Sequence, residues 1–220
     1  ALERLPREVQ AEVGRALVNV DTELARDPSS WRGRLRKFVK TYSGTRAALL
    51  AEVDLLTERI GPQMVEALDA FARDHPGTEA AAKAVYLKGF HLSHNGRSFG
   101  ERPGADPTDR FFQVLEVSRE LQSGKYPASE WVEKGAALPV QFYAYRATYA
   151  PGNAERILAA LEPLLPDLLR GFEKDPTKDL LPYAIASRMG ELYKSLGGGV
   201  AEIEGVYDRL AAKARNRALV

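Results

Sequence analysis

The 220-residue chain contains no cysteine. Disulfides, thiol nucleophiles and thiolate metal sites are therefore excluded. An excess of one charge is missing too, with 31 Lys and Arg against 30 Asp and Glu. That excludes the broad positive field by which proteins attract nucleic acid or acidic membranes. No apolar run approaches the roughly 20 residues that a membrane helix needs, and no signal-peptide pattern is seen. The chain opens on Ala1 and not on Met, which predicts that something upstream has been removed. Alternating runs of β-branched residues are essentially absent, so no sheet is expected. A chain of this length buries enough surface to fold without a disulfide or a metal.

What is present is helical. Trp31, Leu35, Phe38 and Tyr42 stand at i, i+4, i+7 and i+11, one face of a helix. Ile157, Leu158, Leu161, Leu164, Leu165, Leu168, Leu169 and Phe172 form a wider stripe of the same kind. Asp-Pro at 27–28, 106–107 and 175–176 marks helix starts. Asp accepts a bond from a free backbone N–H there, and Pro suits the first helical position because that N–H has no partner anyway. The pattern predicts helices over 3–25, 28–42, 45–60, 62–74, 78–94, 107–123, 128–147, 154–173, 179–196 and 200–217.

One phrase occurs twice. Phe38, Gly44, Thr45, Ala47, Ala48 and Ala51 return as Phe71, Gly77, Thr78, Ala80, Ala81 and Ala84, and Leu35 returns as Leu68, all at an offset of 33. That is the period of a helix–turn–helix repeat. Thr45 and Thr78 are placed to cap the helices that follow them. Weaker echoes at Lys125–Ser129 and Phe172–Pro176 extend the pattern, predicting about five antiparallel helix pairs stacked in one all-α domain over 1–220. Pro139, Pro163 and Pro166 interrupt apolar helical patterns and should kink or split their helices. Residues 95–106, with Gly96, Gly100, Pro103 and Gly104, are predicted to be an inserted loop.

The stretch Phe71, His75, Pro76, Gly77, Thr78, Ala81, Ala84 and Tyr86 resembles tetratricopeptide-like repeats. The nearest look-alikes are bacterial envelope proteins, the outer-membrane assembly lipoproteins and the Tol–Pal coordinating proteins. The match covers about residues 28–94. The resemblance implies a right-handed superhelix, a protein or peptide partner, and a bacterial periplasmic or cell-envelope location. The Trp-Leu-Gly-Tyr signature of the standard unit is not cleanly present, so no peptide-binding residues are carried over from the family.

Five groups of residues invite a chemical reading. Arg32, Arg36 and Lys40 line up at i, i+4 and i+8, opposite the Trp31 stripe. Such a row holds carboxylates or phosphates, although a solvated helix face is the more ordinary meaning. Aromatics concentrate at Phe142, Tyr143, Tyr145 and Tyr149. Phe142 reads as core, while Tyr145 and Tyr149 are candidate partner contacts. His91 and His94 share a helix face, but no third ligand and no neighbouring Glu completes a metal site, so no metal and no cofactor is expected. Asp106, Asp109 and Glu101 do not meet calcium-loop spacing and read as capping. Gly197-Gly198-Gly199 lacks the Lys-Ser/Thr of a phosphate loop. No nucleophile–base–acid set is visible. The expectation is a non-catalytic interaction module. The alternative is the helical accessory domain of a larger extracytoplasmic enzyme, a cell-wall hydrolase or an oxidoreductase.

Overall fold

The computed structural model describes residues 5–25, 28–59, 61–94, 107–139 and 151–164, with isolated positions at 192, 194, 204, 205 and 208. The described residues are all-helical, without a strand. They form α1 (Arg7–Ala25), α2 (Pro28–Thr41), α3 (Arg46–Leu56), α4 (Pro62–Asp74), α5 (Glu79–His94), α6 (Pro107–Gln122), α7 (Glu130–Ala137) and α8 (Pro151–Leu161), followed by a 3₁₀ turn at Glu162–Leu164. The predicted loop at 95–106 lies outside the described residues. So do Tyr145, Tyr149 and nearly all of the last two predicted helices.

Proline writes both the starts and the stops. Pro28, Pro62, Pro107 and Pro151 each open a helix, where a missing N–H costs nothing. α7 stops at Ala137, two residues before Pro139, so the helix expected over 128–147 does not run through that proline. A ring at 139 removes a donor and presses on the preceding turn. In the same way α8 stops at Leu161, and Pro163 sits in the 3₁₀ turn. α3 is shorter than expected. Its last carbonyls, of Asp54, Leu55 and Leu56, accept from Thr57, Glu58 and Arg59 at 3.2–3.3 Å, a tightened turn that closes the helix before 60.

The helices pack in two layers. α1 touches α3, α3 touches α5, and α5 touches α7, forming a continuous odd-numbered layer. Each even helix lies over a seam of that layer: α2 on α1 and α3, α4 on α3 and α5, α6 on α5 and α7. α8 joins α6. Small residues make the odd layer possible, because Ala47, Ala48 and Ala51 of α3 and Ala80, Ala81, Ala82 and Ala84 of α5 are all buried.

The offset of 33 holds in three dimensions. Leu35 and Leu68 are fully buried, as are Ala51 and Ala84, and Phe38 and Phe71 are nearly so. Each Phe ring meets an aromatic ring one turn later, Tyr42 at 5.1 Å and His75 at 4.4 Å between centroids. Both turns pass through a glycine with positive φ, Gly44 at 83° and Gly77 at 70°, a conformation that other residues rarely adopt. Both then reach a threonine that works twice. Thr45 Oγ1 donates to the Tyr42 carbonyl at 2.7 Å and accepts from the Ala48 N–H at 3.3 Å. Thr78 Oγ1 donates to the His75 carbonyl at 2.8 Å and accepts from the Ala81 N–H at 3.1 Å. Each hydroxyl satisfies one of the four free N–H groups at its helix start.

Candidate binding face

α2 carries five cations and no carboxylate in 14 residues. Leu35 and Phe38 turn inward, with Trp31 and Tyr42 packed beside them, which leaves Arg32, Arg36, Lys37 and Lys40 exposed. The turn that follows α3 supplies the counter-charge. Arg36 Nη2 donates to Glu58 Oε2 at 2.6 Å, and Arg32 Nε lies 3.4 Å from Glu58 Oε1. Two guanidiniums thus share one carboxylate, and Arg59 adds an exposed cation beside it. Lys40 lies in the last turn of α2, where the negative end of the helix dipole favours a cation. The structure therefore gathers Arg32 and Arg36 at a single anchor and leaves the face net positive.

A second charged cluster crosses the odd layer. Asp54 of α3 receives Arg15 from α1 in a very short contact, and Lys83 from α5 at 2.5 Å. Lys83 Nζ also donates to the Leu50 carbonyl at 3.0 Å and lies 5.1 Å from the centre of the Trp131 ring on α7. Lys134 stands 4.8 Å from the same ring and pairs with Glu130 at 2.5 Å. Tyr86 packs on Trp131 at 5.7 Å. Lys83 is the buried member, with its side chain 8% exposed. Burial pushes its ammonium below the usual lysine range, and Asp54 pulls it partly back. With three hydrogen-bonding or π partners it is a fastener between helices, enclosed away from any ligand.

One turn nearer the helix starts, a parallel set repeats the idea. Arg46 donates to Glu12 of α1 at 2.7 Å and to Glu79 of α5 at 2.6 Å. Glu8 accepts from the Arg46 backbone N–H at 3.3 Å. Arg46 and Glu79 hold equivalent positions in the two repeats, 33 apart.

The remaining sequence candidates resolve locally. The His91 ring lies edge-on to Phe90, with centroids 5.8 Å apart. Among the described residues no three His, Asp or Glu side chains gather where one ion would reach them all. Asp109 occupies the first turn of α6, on the favourable side of the helix dipole. Tyr126 is buried and donates to Glu120 Oε1 at 2.7 Å, so it serves the α6–α7 turn. Among the described residues no helix is long and apolar enough to cross a membrane.

The Arg15–Asp54–Lys83 cluster is the feature that sequence reasoning missed. A signal was present: Lys83 stands inside the run Ala80-Ala81-Ala82-Lys83-Ala84-Val85, and a lysine within an apolar run needs a buried partner. No protein family, no curated protein and no solved structure matches the chain.

Proposed function

We propose that this protein is a non-catalytic protein–protein interaction module, and that the outer face of α2 is its contact for an acidic partner segment. The observation that carries this is the imbalance at α2. Among the described residues, four exposed cations stand along one helix, and the one carboxylate seen against them, Glu58, is shared by two. Arginine suits such a role because its planar fork matches a carboxylate and stays charged at all working pH values. Packing supports it as well. The basic residues stand clear of the Leu35–Phe38 core, and a stack fixed by small residues loses little ordering entropy when a partner binds. The two-layer order and the equivalences at 33 residues support a tetratricopeptide-like superhelix as the frame for that face.

The test is a combined Arg32→Gln, Arg36→Gln, Lys40→Gln variant, titrated with a labelled Asp/Glu-rich peptide. Glutamine is chosen over glutamate because a new carboxylate would repel Glu58. The variant should keep its fold, since exposed ion pairs contribute only about 0–1 kcal/mol. Its affinity for the acidic peptide should fall about tenfold at low salt, and the salt dependence should flatten. Equal affinity of variant and parent across the salt range would return the row to an ordinary solvated helix face.

A further inference from the structure

Two places in the molecule set two cations on one carboxylate. At Asp54 the group is sealed, because Arg15 and Lys83 reach it with side chains only 18% and 8% exposed. At Glu58 it is open. The carboxylate side chain is 20% exposed, and Arg32 and Arg36 lie over it at 56% and 63%. The contact is also unevenly made. Oε2 accepts from Arg36 Nη2 at 2.6 Å, a charge-assisted bond. Oε1 has the ion-pair approach of Arg32 Nε at 3.4 Å, and among the described residues it is buried without a hydrogen bond. A carboxylate oxygen shut from water with no donor carries a desolvation cost. A planar guanidinium can give a carboxylate two parallel bonds, and neither arginine reaches Glu58 that way. Nothing large need move to break the contact. Glu58 stands in the turn after α3, and its carboxylate leaves by rotation of its own side chain.

We propose that Glu58 is a built-in competitor for the acidic partner. It holds Arg32 and Arg36 in the free protein and gives them up when a partner carboxylate takes both guanidiniums. The inference rests on the reading of α2 as a contact for an acidic segment, and adds how that contact is regulated. The exchange is balanced in charge. One carboxylate leaves the two arginines and one arrives, so neither cation is left bare. Glu58 Oε1 regains water, and the arriving group approaches from the exposed side of the two forks. Selectivity follows from the same exchange. A lone carboxylate gains little, since it only replaces one already present. A segment with several carboxylates gains more, because Lys40 continues the row one turn beyond Arg36. Single acids are thereby turned away, and a run of acids is admitted.

The test is Glu58→Gln, titrated with the Asp/Glu-rich peptide beside the parent. Glutamine keeps the size and loses the charge. From the strength of exposed ion pairs, the variant should bind about threefold to fivefold tighter. Glu66→Gln, at an exposed site on α4, changes the net charge equally and should move the affinity by less than about 1.5-fold. In an Arg32→Gln, Arg36→Gln background, Glu58→Gln should add nothing. A direct reading comes from the Glu58 carboxyl carbon in the NMR spectrum of the parent, assigned by its loss in Glu58→Gln. Saturating peptide should move that signal to the position of a solvated glutamate. If the parent binds and the triple glutamine variant does not, the α2 face stands whatever Glu58 does. Affinity in Glu58→Gln equal to or weaker than the parent's, or a Glu58 signal unmoved at saturation, would then overturn the competitor and make Glu58 an anchor that holds the arginines in place. Binding by Glu58→Gln alone would show the competitor at full strength. Binding by neither would bring down the reading of the face and this inference together.

Discussion

The turns into α3 and α5 differ from the turn into α7, although all three join an even helix to an odd one. The first two are closed by a glycine at positive φ and a threonine hydroxyl that bonds on both sides. The third also has its glycine, Gly124 at 81°, but the capping position is Ser129, whose side chain makes no cap bond. Ser129 Oγ is buried without a hydrogen-bond partner among the described residues. Charge takes over there. Glu120 accepts from Lys125 Nζ at 2.6 Å and from the Tyr126 hydroxyl at 2.7 Å. Burial pushes the Glu120 carboxyl upward, but those two bonds outweigh it and hold the group below its ordinary range. One topology is thus closed by two chemistries, and the sequence repeat fades where the chemistry changes.

The largest expected effects test the equivalence of the first two units. Phe38→Ala and Phe71→Ala should each cost about 3–5 kcal/mol in urea unfolding, by the usual penalty for emptying a buried aromatic site. If one costs several times the other, the two units do not share a packing scheme. Glycines sharpen the contrast at the next level. A Cβ at Gly135 would stand 2.4 Å from Leu121 Cδ1 and 3.1 Å from Leu121 Cβ, and Leu121 is itself buried. Gly135→Ala should therefore cost about 1–3 kcal/mol by overpacking. Gly33, in the middle of α2, has no heavy atom within 4 Å of such a Cβ. Gly33→Ala should instead stabilise by about 0.5–1 kcal/mol, as alanine does in an open helix. A calorimetric melting series would show the opposite signs. The smallest effects test the caps. Thr45→Ala and Thr78→Ala should each cost about 1 kcal/mol. Ser129→Ala should cost almost nothing, because it deletes a hydroxyl that no protein group satisfies. A loss at Ser129 as large as at the threonines would show that its hydroxyl works in solution.

Much of the fold was legible because the signals are local. Phe38 and Phe71, the paired alanines and the Gly-Thr turns lie on strict helical or turn spacing, so register follows from counting residues. Pro139 and Pro163 were legible as interruptions, but the helix ends around them were not, since a proline gives a limit and not the turn that precedes it. On the outer face of α2, the outward direction of Arg32, Arg36 and Lys40 followed from the Trp31–Tyr42 stripe. Glu58 did not, because it reaches them from the turn after α3, 22 residues beyond Arg36. The Arg15–Asp54–Lys83 cluster failed to appear for the same reason. Its members are 39 and 29 residues apart, and no spacing rule joins three helices that meet only after folding.

The seam between α3 and α5 has a mechanical consequence. Arg46 grips Glu79, and four residues further along Lys83 grips the Leu50 carbonyl, each pair linking positions 33 apart. These are two pins set about 6 Å apart along one hinge line, at the rise of 1.5 Å per residue. A load that pulls the helices lengthwise past one another must break both pins together, while a load that peels the seam open breaks them in turn. The protein should accordingly withstand shear along its helix axes better than unzipping from one end, a distinction that single-molecule pulling in the two geometries would register as a difference in rupture force.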